Sequence, residues 1–251
     1  MIQKSVQKNV VISIRNLNKK FGNHQVLEGF NLDLYEDESL VIMGKSGTGK
    51  SVMLKCLIGL ERFDQGSISV MGRNMEKLSS EDLSYIRSEV GFLFQGSALY
   101  DSMTVRENLE FPLRRHKIKF GHIKNTTPLI QEALESVGLQ HTLDLMPDEL
   151  SGGMKRRVAL ARTLILRPKI ILYDEPTTGL DPITSKEIVF LIKSVQQKFQ
   201  TSSIIITHDV DSARHLADRM ILLINGKNYA EGTFDELDHS DDPRIMAFFK
   251  S

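Results

Sequence analysis

The sequence predicts an α/β fold: a parallel strand-and-helix core, an antiparallel β section near its start, and an inserted α-helical subdomain at about residues 95–167. Three observations predict it. Short apolar runs end repeatedly in polar residues, as strands of an open sheet do at their ligand-binding edge. A glycine-rich loop joins one such run to a helix-like stretch. Between the apolar runs ending near Gln95 and starting at Ile170, the pattern becomes mainly helical.

The elements follow in order. Val10–Ile14 and Val26–Leu34 alternate partially, which suits an antiparallel sheet with one wet face. Ser39–Met43 is a more continuous apolar strand ending at Gly44, and a helix is expected from Lys50 to about Leu60. Ile68–Met71, bounded by Gly66 and Gly72, returns as a strand. Thr104 and Glu107 fit a capping box, and Pro112, which lacks an amide donor, is expected to bend or end that helix. Thr127-Pro128 opens a second helix with the stripe Ile130, Ala133, Leu134 and Val137, stopped by Gly138. A third begins near Ser151, with Val158, Ala161 and Leu164 facing inward. Ile170–Tyr173 reads as a buried strand, Asp181-Pro182 opens a helix to about Phe199, and Ser203–Ile206 is a further strand. Asn225-Gly226 signals a hairpin, and Thr233 with Glu236 caps a helical tail over residues 233–251.

The chain has 251 residues, enough for one core with a subdomain attached, so residues 1–251 read as a single domain. Lys plus Arg and Asp plus Glu are both 32, a balance that gives no general nucleic-acid footprint. The run Lys155-Arg156-Arg157 reads as a solvated or interface-facing helix face. The single cysteine, Cys56, excludes an internal disulfide. Met220–Ile224 is far shorter than the ~20 apolar residues of a membrane helix, so membrane association must come through a partner or the surface. The tail ends soon after Phe248-Phe249, which predicts packing onto the protomer or a partner and no appended regulatory domain.

Gly44-Lys45-Ser46-Gly47-Thr48-Gly49-Lys50-Ser51 matches the Walker A pattern of a P-loop NTPase in full. The glycines let the backbone curl and turn its amides toward phosphate oxygens, and the helix N-terminus adds a positive field. Lys50 should reach the β- and γ-phosphates of ATP, and the Ser51 hydroxyl should hold Mg²⁺. The strand Ile170–Tyr173 delivers Asp174 to the same sheet end, where it would hold Mg²⁺ through water, and Glu175, which would polarise the attacking water. For Glu175, a fixed position beside the γ-phosphate is the property that matters. His208 follows Ser203–Ile206; it is either a γ-phosphate sensor or a structural strand-end histidine. Gln95 follows Val90–Phe94 and is either a metal or water contact or a polar turn residue.

Leu150-Ser151-Gly152-Gly153-Met154 resembles the LSGGQ signature of ABC-transporter ATPases, with Met154 in place of glutamine. Ser151 is also an ordinary helix N-cap, and the two roles are compatible. In that family, the resemblance implies, Ser151, Gly152 and Gly153 complete the ATP site of a second copy. Phe21, by itself more often a core or edge packing residue, resembles the aromatic residue that stacks on adenine; Gln95 resembles the Q-loop residue and His208 the switch histidine. Asp181, in Gly179-Leu180-Asp181, resembles the D-loop residue and is equally a helix cap before Pro182. The blocks Gln95–Tyr100, Glu110–Arg114, Leu145–Pro147, Glu149–Met154, Asp181–Thr184 and Asp242–Arg244 more closely resemble Mla/Mce-associated lipid-transport ATPases. That resemblance implies a dimer with ATP and Mg²⁺ between two copies, an integral membrane permease dimer, a Mce-type lipid-binding component, and a peripheral place on the cytoplasmic side of the inner membrane. An ATPase of another permease, such as an amino-acid importer or a cell-division complex, is the alternative. A soluble DNA-associated clamp is disfavoured, because the sequence has neither a long coiled-coil insertion nor a basic domain.

Overall fold

The computed structural model describes residues 9–116 and 125–249. Its first sheet is antiparallel, in the order β2-β1-β4-β5, with β1 Val10–Phe21, β2 His24–Tyr35, β4 Gln65–Val70 and β5 Arg73–Asn74. The second has the order β10-β9-β3-β8-β7-β6. Its strands β3 Ser39–Met43, β6 Val90–Leu93, β7 Ile170–Asp174, β8 Ser202–Thr207 and β9 Arg219–Ile224 run parallel. The edge strand β10 Lys227–Gly232 is antiparallel to β9, and the expected hairpin turn has Asn225 at φ 50° and Gly226 at φ 75°. Positive φ at both central residues matches the turn whose twist suits a two-residue hairpin.

Alternate side chains of the parallel strands build two cores. Val41, Met43, Ile171, Tyr173, Ile205, Met220 and Leu222 face one layer of helices. Leu40, Ile42, Ile170, Leu172, Ile204, Ile206, Ile221 and Leu223 face the other side, where the antiparallel sheet and helix α1 Lys50–Leu57 pack. The period of two along a strand produces this division directly. At about 1.5–3 kcal/mol for each large apolar side chain fully buried, both faces hold the central strands firmly. Tyr173, fully buried among these side chains, has its phenol pushed up because burial disfavours the phenolate.

The stretch between β6 and β7 carries α3 Val105–Arg115, α4 Thr127–Glu135 and α5 Gly152–Leu164, after α2 Ser80–Glu89 has led into β6. The Thr104–Glu107 capping box forms as expected. Pro112 does not end α3 at once but begins its last turn: the helix runs on to Arg115, with His116 N–H donating to the Pro112 carbonyl at 3.0 Å. Leu113, buried against the core, holds this last turn down. After β7 come α6 Pro182–Phe199 and α7 Val210–Leu216, and after β10 the tail helices α8 Phe234–Asp238 and α9 Pro243–Phe249. Phe249 meets Phe234 edge-on at 5.3 Å, so the tail packs on its own protomer. No described helix is long and apolar enough to cross a membrane.

Strand β6 lies so close to α5 that a Cβ at Gly91 would sit 2.4 Å from Thr163 Cγ2 and 3.1 Å from Pro168 Cγ. Gly91→Ala is therefore expected to lower stability by about 1–3 kcal/mol through overpacking. Urea unfolding checks this, and a midpoint unchanged from wild type contradicts it.

Candidate functional site

Parallel register brings the polar ends of four strands to one edge. Met43 is level with Thr207 and Asp174 with Ile206, while Leu93 is level with Tyr173. The loop after β3, the Asp174–Glu175 pair, His208 and Gln95 all leave from that edge. Gln95 is exposed there.

The loop from Gly44 to Gly49 folds back on itself, with the Thr48 amide and hydroxyl both donating to the Lys45 carbonyl at 3.3 and 2.8 Å. Lys45, Ser46 and Gly47 are exposed, whereas Lys50 is buried. Gly49 has φ 99°, and a Cβ there would meet Val26 Cγ1 and the Val26 carbonyl at 2.8 Å. The loop's closing turn is thus pressed against the start of β2, and a side chain would lift it away.

Lys50 Nζ donates to the carbonyls of Gly44 at 2.7 Å and Lys45 at 3.1 Å, and lies 3.9 Å from Glu175 Oε1. Burial lowers its pKa, against the opposing pull of Glu175 and Asp174. The cation is therefore partly desolvated and in the concavity of the loop, where a phosphate group would add a closer anion than Glu175. Ser51 Oγ donates to Asp174 Oδ1 at 2.8 Å, which joins the loop helix to β7. These two oxygen donors suit a hard cation such as Mg²⁺, whose remaining ligands come from phosphate and water. Among the described residues no cluster of three or more His, Cys, Asp and Glu side chains forms a closed metal cage.

Glu175 adopts φ 49°, a left-handed conformation rare for a non-glycine residue, and its amide donates to the Ile206 carbonyl at 3.0 Å. Such backbone strain concentrates at functional sites. Its Oε2 receives a hydrogen bond from Thr178 Oγ1 at 3.1 Å and lies 2.8 Å from His208 Nδ1. An ionised carboxylate only accepts, so Nδ1 carries the hydrogen and the exposed ring leaves Nε2 toward solvent.

Ser151 caps α5, its Oγ accepting from the Met154 amide at 3.2 Å. Asp181 caps α6 through the Ile183 and Thr184 amides, both at 3.0 Å, and the Thr184 hydroxyl and amide lower its pKa. The two caps are neighbours: a Cβ at Gly153 would sit 2.6 Å from Thr184 Cγ2, and one at Gly152 3.7 Å from Leu180 Cδ2. Phe21 ends β1 with its ring half exposed and the Lys19 ammonium 4.5 Å from the ring centroid.

The basic run on α5 is not wholly a solvated or interface-facing face: Lys155 and Arg157 are half-exposed, but Arg156 turns inward. Arg156 is buried, with Nη1 donating to the Phe94 carbonyl at 2.8 Å and Nη2 to the Thr178 carbonyl at 3.3 Å. Burial lowers its pKa. Arg157 pairs with Glu187 at 2.6 Å, and Arg162, one face around, donates to the carbonyls of Ala98 and Ser97 at 2.8 and 3.2 Å. Sequence reasoning missed both inward arginines because their partners are backbone carbonyls of segments distant in the chain.

A family profile described as "ABC transporter" matches residues 27–178. The Haemophilus influenzae intermembrane phospholipid transport system ATP-binding protein MlaF is 38% identical over 240 residues, covering 96% of this chain and 90% of the relative. The Clostridium tetani methionine import ATP-binding protein MetN is 37% identical over 227 residues, covering 90% and 70%. The dimeric post-hydrolysis structure of the ATP-binding cassette MJ0796 with ADP and Pi superposes at a TM-score of 0.80 with 32% identity, covering 89% of this chain and 98% of that one.

Gly49→Ala should lower ATP affinity at least about tenfold, because the closing turn of the loop cannot keep its place beside Val26. Binding of a fluorescent ATP analogue checks this, and wild-type affinity contradicts it. The loop geometry, the family profile and the two long alignments agree: the chain belongs to the ABC transporter family and is one of its ATP-binding, ATP-hydrolysing cassettes.

Proposed function

We propose that two copies of this chain close around two ATP-Mg²⁺ units and drive a membrane permease dimer that moves phospholipid or a related lipid. Lys50 and the amides of Gly44–Gly49 grip the β- and γ-phosphates. Ser51 holds Mg²⁺, with Asp174 acting through water and Gln95 from the far side. The ion, when bound, neutralises phosphate charge. Glu175 orients the attacking water, and His208 holds Glu175 while presenting its outer nitrogen to the γ-phosphate. Phe21 stacks on adenine. Ser151, Gly152 and Gly153 of one copy complete the site of the other, and Asp181, beside them, relays between the two.

One observation carries the hydrolytic reading: Glu175 has a strained backbone, and His208 and Thr178 hold its carboxylate, which lies 3.9 Å from the buried Lys50. Positioning of this kind, more than basicity, is what water-directed phosphoryl transfer needs.

Residues 95–167 form the helical subdomain in this reading and face the permease. A groove of about 410 Å³ lies beside the segment after Gln95, lined by Leu60, Phe92, Phe94, Tyr100, Phe111 and Arg115. Leu60 and Tyr100 are exposed within it. An amphipathic permease segment with acidic ends fits such a groove. In this reading the chain sits on the cytoplasmic side of the inner membrane, peripheral through the permease, with a Mce-type lipid-binding component beyond it. The lipid assignment is supported by the 38% identity to MlaF across 96% of the chain. The 37% identity to MetN supports the second reading, an amino-acid importer cassette.

Glu175→Gln should retain ATP while its turnover falls about 100-fold or more. Turnover equal to wild type removes the role assigned to Glu175. Purification of the native membrane complex should recover a permease, a Mce-type component and phospholipid. A receptor for a polar solute instead supports the importer.

A further inference from the structure

Arg156 joins three parts of the site that are far apart in sequence. Its helix, α5, is capped by Ser151. Its Nη1 holds the carbonyl of Phe94, the residue before Gln95. Its Nη2 holds the carbonyl of Thr178, whose hydroxyl donates to Glu175 Oε2 at 3.1 Å. Arg162 on the same helix grips the carbonyls of Ser97 and Ala98, which adopt φ 60° and 50°. The segment 94–98 is therefore fastened to α5 at both ends.

Stability alone does not account for Arg156. A buried charge is costly to desolvate, and an apolar side chain of similar volume fills such a slot at least as well. Nε has no partner among the described residues, so the guanidinium is not fully satisfied either. What the planar fork does, and an apolar side chain cannot, is fix the relative positions of two separate backbone segments. We infer that Arg156 is a positioning residue for ATP hydrolysis, locking the Glu175–Thr178 turn to the Gln95 segment and to the helix headed by Ser151. Any displacement of α5, whether from nucleotide on a second copy or from a partner in the groove, then moves Glu175 through Thr178. This rests on the role proposed for Glu175.

The test is steady-state ATP turnover by the purified full chain carrying Arg156→Met, Arg156→Lys, Thr178→Val or the Met and Val changes together. Arg156→Met should lower kcat about tenfold while KM for ATP stays within about threefold, and Arg156→Lys should recover part of the loss. Thr178→Val breaks the same relay, so the double variant should be no more than about twofold below the slower single variant. A kcat for Arg156→Met within about twofold of wild type, or losses that multiply in the double variant, overturns the inference. If Arg156→Met does not fold, Arg156→Lys alone and with Thr178→Val is read by the same criteria. Glu175→Gln assayed beside them separates the two failures. Wild-type turnover there overturns the underlying reading; a dead Glu175→Gln with fully active Arg156 variants overturns this inference alone.

Discussion

Everything at the site depends on the parallel register of the central sheet. Because β3, β8, β7 and β6 run in one direction, and the first three are buried on both faces, their polar successors emerge together at one edge. The Ser51–Asp174 hydrogen bond then ties the phosphate loop's helix to β7, and the Ile206 carbonyl holds the Glu175 amide to β8. A slip of one residue in any of these strands would turn its apolar set outward and carry its site residue away. Core stability and site geometry are, in this chain, set by the same ladder of hydrogen bonds.

The proposed site has a second half at the caps of two neighbouring helices. Ser151 and Asp181 cap adjacent helices, and Gly153 packs against Thr184 so closely that no larger residue fits without movement. Related cassettes have been seen as dimers. A dimer uses the two halves economically, since each chain supplies a phosphate cradle and a helix cap. Buried Arg156 and half-buried Arg162 of α5 hydrogen-bond the segment around Gln95, and Arg156 also holds the turn after Glu175. The chain is about equally identical to cassettes of a phospholipid system and of a methionine importer, so the shared identity follows the cassette and not the cargo.

Much of this was legible in the sequence, because the relevant signals are local. The loop Gly44–Ser51, the caps at Thr104, Ser151, Asp181 and Thr233, and the Asn225-Gly226 turn each depend on a few adjacent residues, and each forms. Helix α2 was not legible: its residues are mostly polar, and Ile86 is its one fully buried hydrophobic side chain. Pro112 was legible as a residue near the end of α3, but the full turn it begins was not, because Leu113 packs that turn against the core. Arg156 was not legible as an inward residue. In a basic run, successive residues point about 100° apart around a helix, so one of three neighbours can face the core. Its carbonyl partners lie at Phe94 and Thr178, and no local pattern announces them.

The central claim is that nucleotide is shared between two copies, with the Ser151 cap of one chain closing on the phosphates held by the other. The most direct measurement is a structure of the full chain with Mg²⁺ and a non-hydrolysable ATP analogue. The expected result is a two-fold dimer with each Ser151 hydroxyl within hydrogen-bonding reach of the γ-phosphate bound by Lys50 of the opposite copy. A fully loaded structure in which both Ser151 caps stand clear of every γ-phosphate contradicts it.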